Sequence, residues 1–153
     1  MKRKVANMLD IVNIGNARKG EYKKVIKEIY LKGKCPFCRE NFKYHKKPIL
    51  KKKGGWLLTE ESWPYKNSLF HFLIIGEKHR EEFSEVTNKD FESIAYLTCW
   101  AIRKHKIRGG VLAIRFGDSN FSGASVPHIH FHLISPQQDK RTKRIRPVHF
   151  PVG

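Results

Sequence analysis

Two stretches of the chain carry apolar residues at every third or fourth position, which is the spacing of an amphipathic helix. They cover residues 20–31 and 88–107, and the second is the longer of the two. Short apolar runs bounded by turn residues predict four strands, at residues 56–60, 69–75, 111–116 and 128–134. The pattern therefore predicts a mixture of helices and strands.

The segments between these elements are rich in basic, small or turn-forming residues. Residues 44–54 are basic and contain Pro48 and Gly54, and residues 117–125 are small and polar, so both predict loops. Since the elements lack the βαβ rhythm of a parallel sheet, the predicted fold class is α+β. We expect an antiparallel sheet of about five strands with the long helix packed on it.

The length of 153 residues predicts a single domain over residues 1–153. We expect its core at about residues 20–136 and a basic C-terminal tail at residues 137–153. Because Lys and Arg are concentrated in the tail, we expect it to be partly disordered or to dock on an anionic partner.

The formal net charge is +17, from 31 Lys and Arg residues against 14 Asp and Glu residues. A charge of this size favours a polyanionic or phosphate-rich ligand, although a soluble basic surface explains it equally well. The basic loop at residues 46–53 and the C-terminal tail are the candidate contacts to nucleic acid.

The apolar runs are too short to span a membrane, so no membrane association is expected. The N-terminus starts basic, but Asn7 and Asp10 interrupt any apolar stretch, and we expect no signal peptide. The cysteines Cys35, Cys38 and Cys99 do not form a disulfide framework, which favours a reducing cytoplasm.

Three histidines stand at alternate positions of the last predicted strand. They are His128, His130 and His132, and apolar residues separate them. Because side chains of a strand alternate between its faces, the imidazoles share one face, roughly 6.5–7 Å apart. That face must line a pocket, bind a metal or meet water. A half-buried strand with histidines as its polar positions and a purely metal-binding ridge are the alternatives.

Residues 128–134 resemble the His-φ-His-φ-His-φ-φ signature of the histidine triad (HIT) superfamily of nucleotide hydrolases and nucleotidyl transferases. Three other stretches agree with the resemblance, which covers about residues 30–136: the CPFC at residues 35–38, the second strand at 70–79 and the phosphate-binding approach at 123–126. The chain departs from the family pattern at Gly76, at Ala124 and at Pro127, and Asn120 is the nearest candidate for the family's asparagine.

The resemblance implies a role for each residue near the triad. His130 would attack the α-phosphorus of a nucleotide and form a covalent nucleotidyl-histidine. His132 would bond the phosphate or the leaving group, Ser125 would donate to the departing atom, and His128 would complete the triad. The resemblance implies substrate contacts by four residues: His71, Asn120, Gly123 and Ala124. His71 also has an alternative as a satisfied, half-buried histidine.

The pair Cys35 and Cys38 predicts a zinc site when two further ligands exist. The resemblance implies that His79 and His128 complete a closed, tetrahedral, structural site. His45 is a rival fourth ligand, since it lies near the pair in sequence. Two reduced cysteines without a metal are the other alternative.

The predicted function is hydrolysis of a dinucleoside polyphosphate, a nucleoside phosphoramidate or a related AMP ester. Three alternatives remain open: transfer of the nucleotidyl group to an acceptor other than water, an aprataxin-like hydrolase of adenylated or capped nucleic-acid ends, and a non-catalytic, zinc-stapled module that binds nucleic acid. The resemblance also implies a homodimer, formed through the long helix and an edge strand. The helix face with Tyr96 and Trp100 is the candidate interface.

Overall fold

The computed structural model describes residues 12–153; Asn7 and Asp10, on which the signal-peptide prediction rests, lie outside this range. The strands are β1 (Ile49–Lys53), β2 (Trp56–Glu60), β3 (Ser68–Gly76), β4 (Val111–Ile114) and β5 (His130–Pro136). They form one sheet in the order β1-β2-β3-β5-β4, and each neighbouring pair is antiparallel. The predicted α+β fold with a five-stranded antiparallel sheet is therefore confirmed.

The helices are α1 (Glu21–Lys32), α2 (Asn88–His105) and the short α3 (Ser119–Ser122). Thr87 caps α2: its hydroxyl accepts from the Asp90 backbone N–H, and Asp90 accepts from the Thr87 N–H in return. This reciprocal pairing satisfies two of the donors that a helix N-terminus leaves free. No helix among residues 12–153 is long and apolar enough to cross a membrane.

The prediction of a loop over residues 44–54 is wrong, because β1 lies within it. Residues 51–53 are all lysine, so the strand has no alternation of apolar and polar positions. Backbone pairing with β2 forms it instead, and lysines suit a sheet edge because their charge prevents pairing with further strands. These lysines also contact the rest of the domain. Lys52 pairs with Glu77, Lys51 lies over the Trp100 ring and Lys53 lies over the Tyr96 ring. Just before the strand, Lys47 pairs with Glu60. Residues 117–125 also differ from the predicted loop, since α3 lies there.

The main core lies between one face of the sheet and α2. Phe72 and Ile74 of β3 pack with Phe131 and Leu133 of β5 against the buried side of the helix. Trp56 belongs to this core as well. The alternating apolar positions of the triad strand therefore face α2, and this orientation directs the histidines to the opposite face of the sheet.

The opposite face is covered by the N-terminal third of the chain. Phe37 and Phe42 pack on apolar residues of β2 and β3. A further cluster joins α1 and Cys35 to Val126, just before the triad. The cysteine turn and α1 are thereby held against the face that carries the histidines.

The C-terminal segment, residues 137–153, packs on the domain itself, and its docking on an anionic partner stays a prediction. The Gln137 backbone N–H donates to the Asn67 carbonyl at 2.7 Å, and Gln138 bridges to Ile145. Further along, the Pro151 carbonyl accepts from Arg115 at 2.6 Å. The end of this segment therefore reaches the histidine face of the sheet.

Candidate active site

The three triad histidines are all buried, on the sheet face away from α2. Strand β5 begins at His130, two residues later than predicted, so His128 stands just before the strand. Ile129 and Phe131 point into the main core between them. The alternation expected from a strand therefore holds across the whole triad.

Backbone carbonyls fix the tautomers of the first two histidines. His128 Nε2 lies 2.6 Å from the Gly76 carbonyl oxygen, and His130 Nδ1 lies 2.6 Å from the His128 carbonyl oxygen. Because a carbonyl only accepts, both of these nitrogens carry the proton. A neutral ring has one N–H, so His128 Nδ1 and His130 Nε2 each keep a free lone pair.

His71 fixes the tautomer of the third histidine. The Tyr65 backbone N–H donates to His71 Nδ1 at 3.2 Å, so His71 Nε2 carries the proton and donates to His132 Nδ1 at 2.9 Å. His132 Nε2 is then the protonated nitrogen of that ring. His71 therefore lies behind His132, outside the cavity lining, where it orients that ring.

Burial keeps the triad neutral. Burial, together with the positive charge of Arg115, lowers the pKa of His130 to about 4, although the hydrogen bond to the His128 carbonyl acts in the opposite direction. Burial also lowers the pKa of His132 well below its usual range. Near neutral pH the lone pair on His130 Nε2 is therefore unprotonated, as a nucleophile requires.

A cavity of about 70 Å³ borders His130 and His132. The predicted residues Gly123, Ala124 and Ser125 also line it. Asn120 does not: it is exposed, and its side-chain carbonyl accepts from Asn13 at 3.3 Å. The structure thus brings the histidines and residues 123–125 together and separates Asn120 from them.

Residues before α1 hold the loop at 123–125 in place. The Asn16 amide donates to the Ser119 carbonyl at 2.7 Å and to the Ala124 carbonyl at 2.9 Å. Gly123 has a left-handed backbone with φ +73°, which favours glycine. The Ser125 hydroxyl is hydrogen-bonded to the Tyr22 hydroxyl, and burial raises the pKa of Tyr22 to about 12.

Sequence reasoning missed the cavity residues Arg18, Tyr22, Tyr65 and Arg115. Arg115 had a positional signal, since it directly follows the apolar run of β4. One arginine among 31 basic residues does not stand out without the fold. Arg18 and Tyr22 come from a region that the resemblance does not cover.

The four predicted metal ligands lie together at the other end of the triad. Cys35 Sγ is 3.3 Å from His128 Nδ1, Cys38 Sγ is 3.4 Å from His79 Nδ1, and the two Nδ1 atoms are 3.1 Å apart. All four ligand atoms lie within 4.8 Å of one another. His45 is not among them, since its Nε2 is 2.7 Å from the Thr59 hydroxyl.

The surroundings of this cluster fit zinc. Two sulfurs and two imidazole nitrogens are a common tetrahedral donor set for zinc. His79 Nε2 lies 3.0 Å from a Glu81 carboxylate oxygen, and His128 Nε2 lies 2.6 Å from the Gly76 carbonyl oxygen. Because the Nε2 atom of each ring is engaged in this way, each ring directs its Nδ1 lone pair to the cluster. Burial raises the pKa of Cys35 to about 12, and a bound cation would favour its thiolate.

A second group of metal-ligand types, Glu61, His71 and His132, lies nearer the cavity. His71 Nδ1 accepts the Tyr65 N–H, so its Nε2 holds a proton and has no lone pair for a metal. Glu61 accepts from the Trp63 N–H at 3.1 Å. These contacts fit a hydrogen-bonded network better than a metal site.

Comparison with known proteins identifies the fold. Residues 67–139 match the family model of the HIT domain. No curated protein matches the chain in sequence. The fold is similar to that of a hypothetical histidine triad nucleotide-binding protein from Sulfolobus tokodaii, at 22% identity and a TM-score of 0.54, covering 74% of this chain and 78% of that one.

Two hydrolases share the fold. The HIT family hydrolase from Clostridium thermocellum is 19% identical with a TM-score of 0.51, covering 66% of this chain and 89% of its own. The corresponding values for the HIT family hydrolase from Legionella pneumophila are 23%, 0.50, 70% and 97%. The resemblance to the histidine triad superfamily is therefore confirmed by the family-model match over residues 67–139, and these structures share the fold.

Proposed function

We propose, because residues 67–139 match the HIT domain, that the protein is a nucleotidyl hydrolase acting through a covalent nucleotidyl-histidine on His130. The observation that carries the proposal is the 2.6 Å contact between His130 Nδ1 and the His128 carbonyl. It leaves the lone pair of His130 Nε2 available at a cavity. The proposed substrates are dinucleoside polyphosphates, nucleoside phosphoramidates and related AMP esters.

In the first step, His130 Nε2 attacks the α-phosphorus and a nitrogen–phosphorus bond forms. The bond to the leaving group breaks, and that group keeps the electron pair. The Ser125 hydroxyl gives it a proton, and Tyr22, bonded to Ser125, replaces that proton. The His128 carbonyl stabilises the positive charge on the His130 ring, because it accepts from Nδ1 throughout.

In the second step, water attacks phosphorus and the nitrogen–phosphorus bond breaks. The water proton returns to the Ser125–Tyr22 pair, AMP leaves, and His130 is regenerated. The Gly123 and Ala124 backbone N–H groups already donate to the Ser119 carbonyl and the Ser122 hydroxyl, whereas His132 Nε2–H supplies a donor for phosphoryl oxygens in both steps. Fixed donors of this kind make a large contribution to stabilising transition states.

Zinc would be held by Cys35, Cys38, His79 and His128 and would supply a structural link between the cysteine turn and the sheet. The effect of this link on catalysis passes through His128. That ring precedes the nucleophile by two residues, and its backbone carbonyl holds the His130 tautomer. The chemistry itself uses His130 and its neighbours.

The test is mass spectrometry of the protein after a brief mix with diadenosine tetraphosphate or adenosine 5′-phosphoramidate. We expect an acid-labile adduct of AMP mass on His130, absent in His130→Ala and retained in the control His149→Ala, which alters an exposed histidine. Turnover that persists in His130→Ala would contradict the proposal. Oligonucleotide binding without turnover would favour the non-catalytic module instead.

A further inference from the structure

Arg115 is a buried cation without an acidic partner among the residues that the structure describes. It directly follows β4 and is only 9% exposed. None of the ion pairs among residues 12–153 includes it. Its guanidinium contacts neutral groups instead: the Tyr65 hydroxyl at 3.2 Å, the Pro151 carbonyl at 2.6 Å and the face of the Phe150 ring at 3.7 Å.

A charge in this position is costly unless an anion joins it. Burying an ion without a counter-ion carries a large desolvation penalty. One donor of the group, Arg115 Nε, is also buried without any hydrogen-bond partner. An arginine fork matches the oxygens of a phosphate group, which would supply both the missing charge and the missing acceptors.

The position of Arg115 relative to the triad indicates which phosphate group of a substrate it would bind. Arg115 Nη1 lies 3.4 Å from His132 Nε2, which carries a proton, so two donors face each other. Two donors cannot bond one another, but both can bond an anion between them. Arg115 thus approaches the triad at His132 rather than at His130. Its donors therefore extend the anion-binding surface beyond the reacting centre.

A second arginine strengthens the positive field of the cavity. The Arg18 guanidinium lies over the Tyr65 ring at 4.4 Å, and Arg115 donates to the hydroxyl of the same residue. Among the residues from 12 to 153 that line the cavity, Glu61 is the one carboxylate, and burial raises its pKa. The Pro151 carbonyl accepts a hydrogen bond from Arg115 Nη2. A phosphoryl oxygen of the substrate can displace this carbonyl and accept from the same donor.

We propose that Arg115, together with His132, binds a non-reacting phosphoryl group of the substrate next to the one that His130 attacks. The inference rests on the proposed function and narrows its substrate class. The site would then select phosphoanhydrides, whose leaving group carries a further phosphate, over phosphoramidates, whose leaving group is an uncharged amine. The guanidinium neutralises negative charge on the departing phosphate as the bond to the α-phosphorus breaks.

The first test compares kcat/KM for diadenosine tetraphosphate and adenosine 5′-phosphoramidate in the full chain. Arg115→Gln should lower the value for the tetraphosphate about 10- to 100-fold, as the loss of a charged hydrogen-bond donor predicts. The value for the phosphoramidate should change less than about 3-fold. Arg115→Lys should restore part of the loss, and the exposed control Arg103→Gln should change neither value. Equal losses on both substrates would overturn the proposal.

A second measurement does not require turnover. Calorimetry measures the binding of inorganic pyrophosphate to the His130→Ala variant. Adding Arg115→Gln to this variant should weaken the binding about 10- to 100-fold. Circular dichroism and thermal melts check that each variant is folded, and Arg115→Met, which also removes the charge, replaces Arg115→Gln if the latter is not. If pyrophosphate binding needs Arg115 but no nucleotide is hydrolysed, the phosphate site stands and the proposed function fails. If hydrolysis depends on His130 while both readouts ignore Arg115, only the phosphate site fails.

Discussion

His128 and His130 are two residues apart, have the same side chain and both donate to a backbone carbonyl, yet they use opposite ring nitrogens. His128 donates through Nε2 and presents Nδ1 to the cysteines. His130 donates through Nδ1 and presents Nε2 to the cavity. The position of a carbonyl oxygen beside each ring thus decides whether an imidazole of this segment faces the cysteine–histidine cluster or the cavity.

The two ends of the triad also differ in what surrounds them. Phe37, inside the cysteine turn, packs edge-on against both rings, with centroids 6.0 Å from His128 and 4.9 Å from His130. On the His128 side, sulfur and imidazole ligands fill the space. On the His130 side, the cavity, Arg115 and Ser125 take their place. One short segment therefore carries the four potential metal ligands at one end, the proposed structural end, and a cavity at the other, the proposed reactive end.

The largest effects are expected when His128 and His130 are each replaced by alanine, because the two variants test whether the two rings have different roles. His130→Ala should lower AMP release by about 10⁴-fold or more, because it removes the nucleophile, while zinc content is retained. His128→Ala should lose zinc and thermal stability. The measurements are AMP release, atomic emission for zinc and thermal melts of both variants. Equal effects of the two variants on zinc content would contradict the division of roles.

The next largest effect is expected at the structural end itself. Cys38→Ser should lose zinc, and the wild-type protein should be stabilised by about 4 kcal/mol relative to its metal-free form when free zinc exceeds the dissociation constant a thousandfold. Chemical unfolding with and without a chelator measures this difference. The control Cys99→Ser alters an exposed cysteine outside the cluster and should respond to the chelator as the wild type does. A chelator-insensitive wild type would exclude a structural metal.

The two ends were not equally predictable from sequence. The histidine alternation and the Cys-x-x-Cys spacing are local patterns, so they indicate the triad face and the cysteine pair directly. Arg115 and Tyr22 reach the cavity only through the fold: Tyr22 meets Ser125 across 103 positions of the chain. Asn120 was placed by proximity in sequence, and the short α3 keeps it on the surface instead.

The strand β1 and the C-terminal segment were missed for a related reason. Their lysines and arginines carry no hydrophobic pattern, so composition indicated a loop and a tail. Both are formed by backbone pairing or by contacts with distant residues, such as that between Pro151 and Arg115. Neither kind of contact leaves a periodic signal in the sequence.

A smaller effect is expected behind the reactive end. His71→Ala should lower kcat by about 100-fold with little change in KM, because His132 loses the partner that fixes its tautomer. Zinc content should not change. The control His105→Gln alters a histidine that packs beside Phe72, on the other face of the sheet. If KM instead rose about 100-fold while kcat stayed unchanged, His71 would be assigned to substrate binding.

The smallest predicted effect concerns the link between the two ends and α2. The Arg80 carbonyl accepts from the Ile129 N–H at 2.6 Å, between His128 and His130, and the Arg80 guanidinium donates to Asp90 at 2.8 and 3.2 Å. These donors hold the pKa of Asp90 well below its usual range. Asp90→Asn should lower the free energy of unfolding by about 1–2 kcal/mol near neutral pH, the size of a charge-assisted hydrogen bond.

The pH dependence distinguishes this ion pair from a loss of packing. Since the folded pKa of Asp90 is depressed, its contribution is present above the unfolded pKa of about 3.9 and is lost as pH falls through the folded value. The stabilities of wild type and Asp90→Asn should therefore converge in acid. Denaturant unfolding across this range measures the difference, and the control Asp139→Asn alters an ion pair whose arginine is half exposed. A constant difference at every pH would show that the carboxylate packs here without acting through its charge, and α2 would then not hold the two ends of the triad by an ion pair.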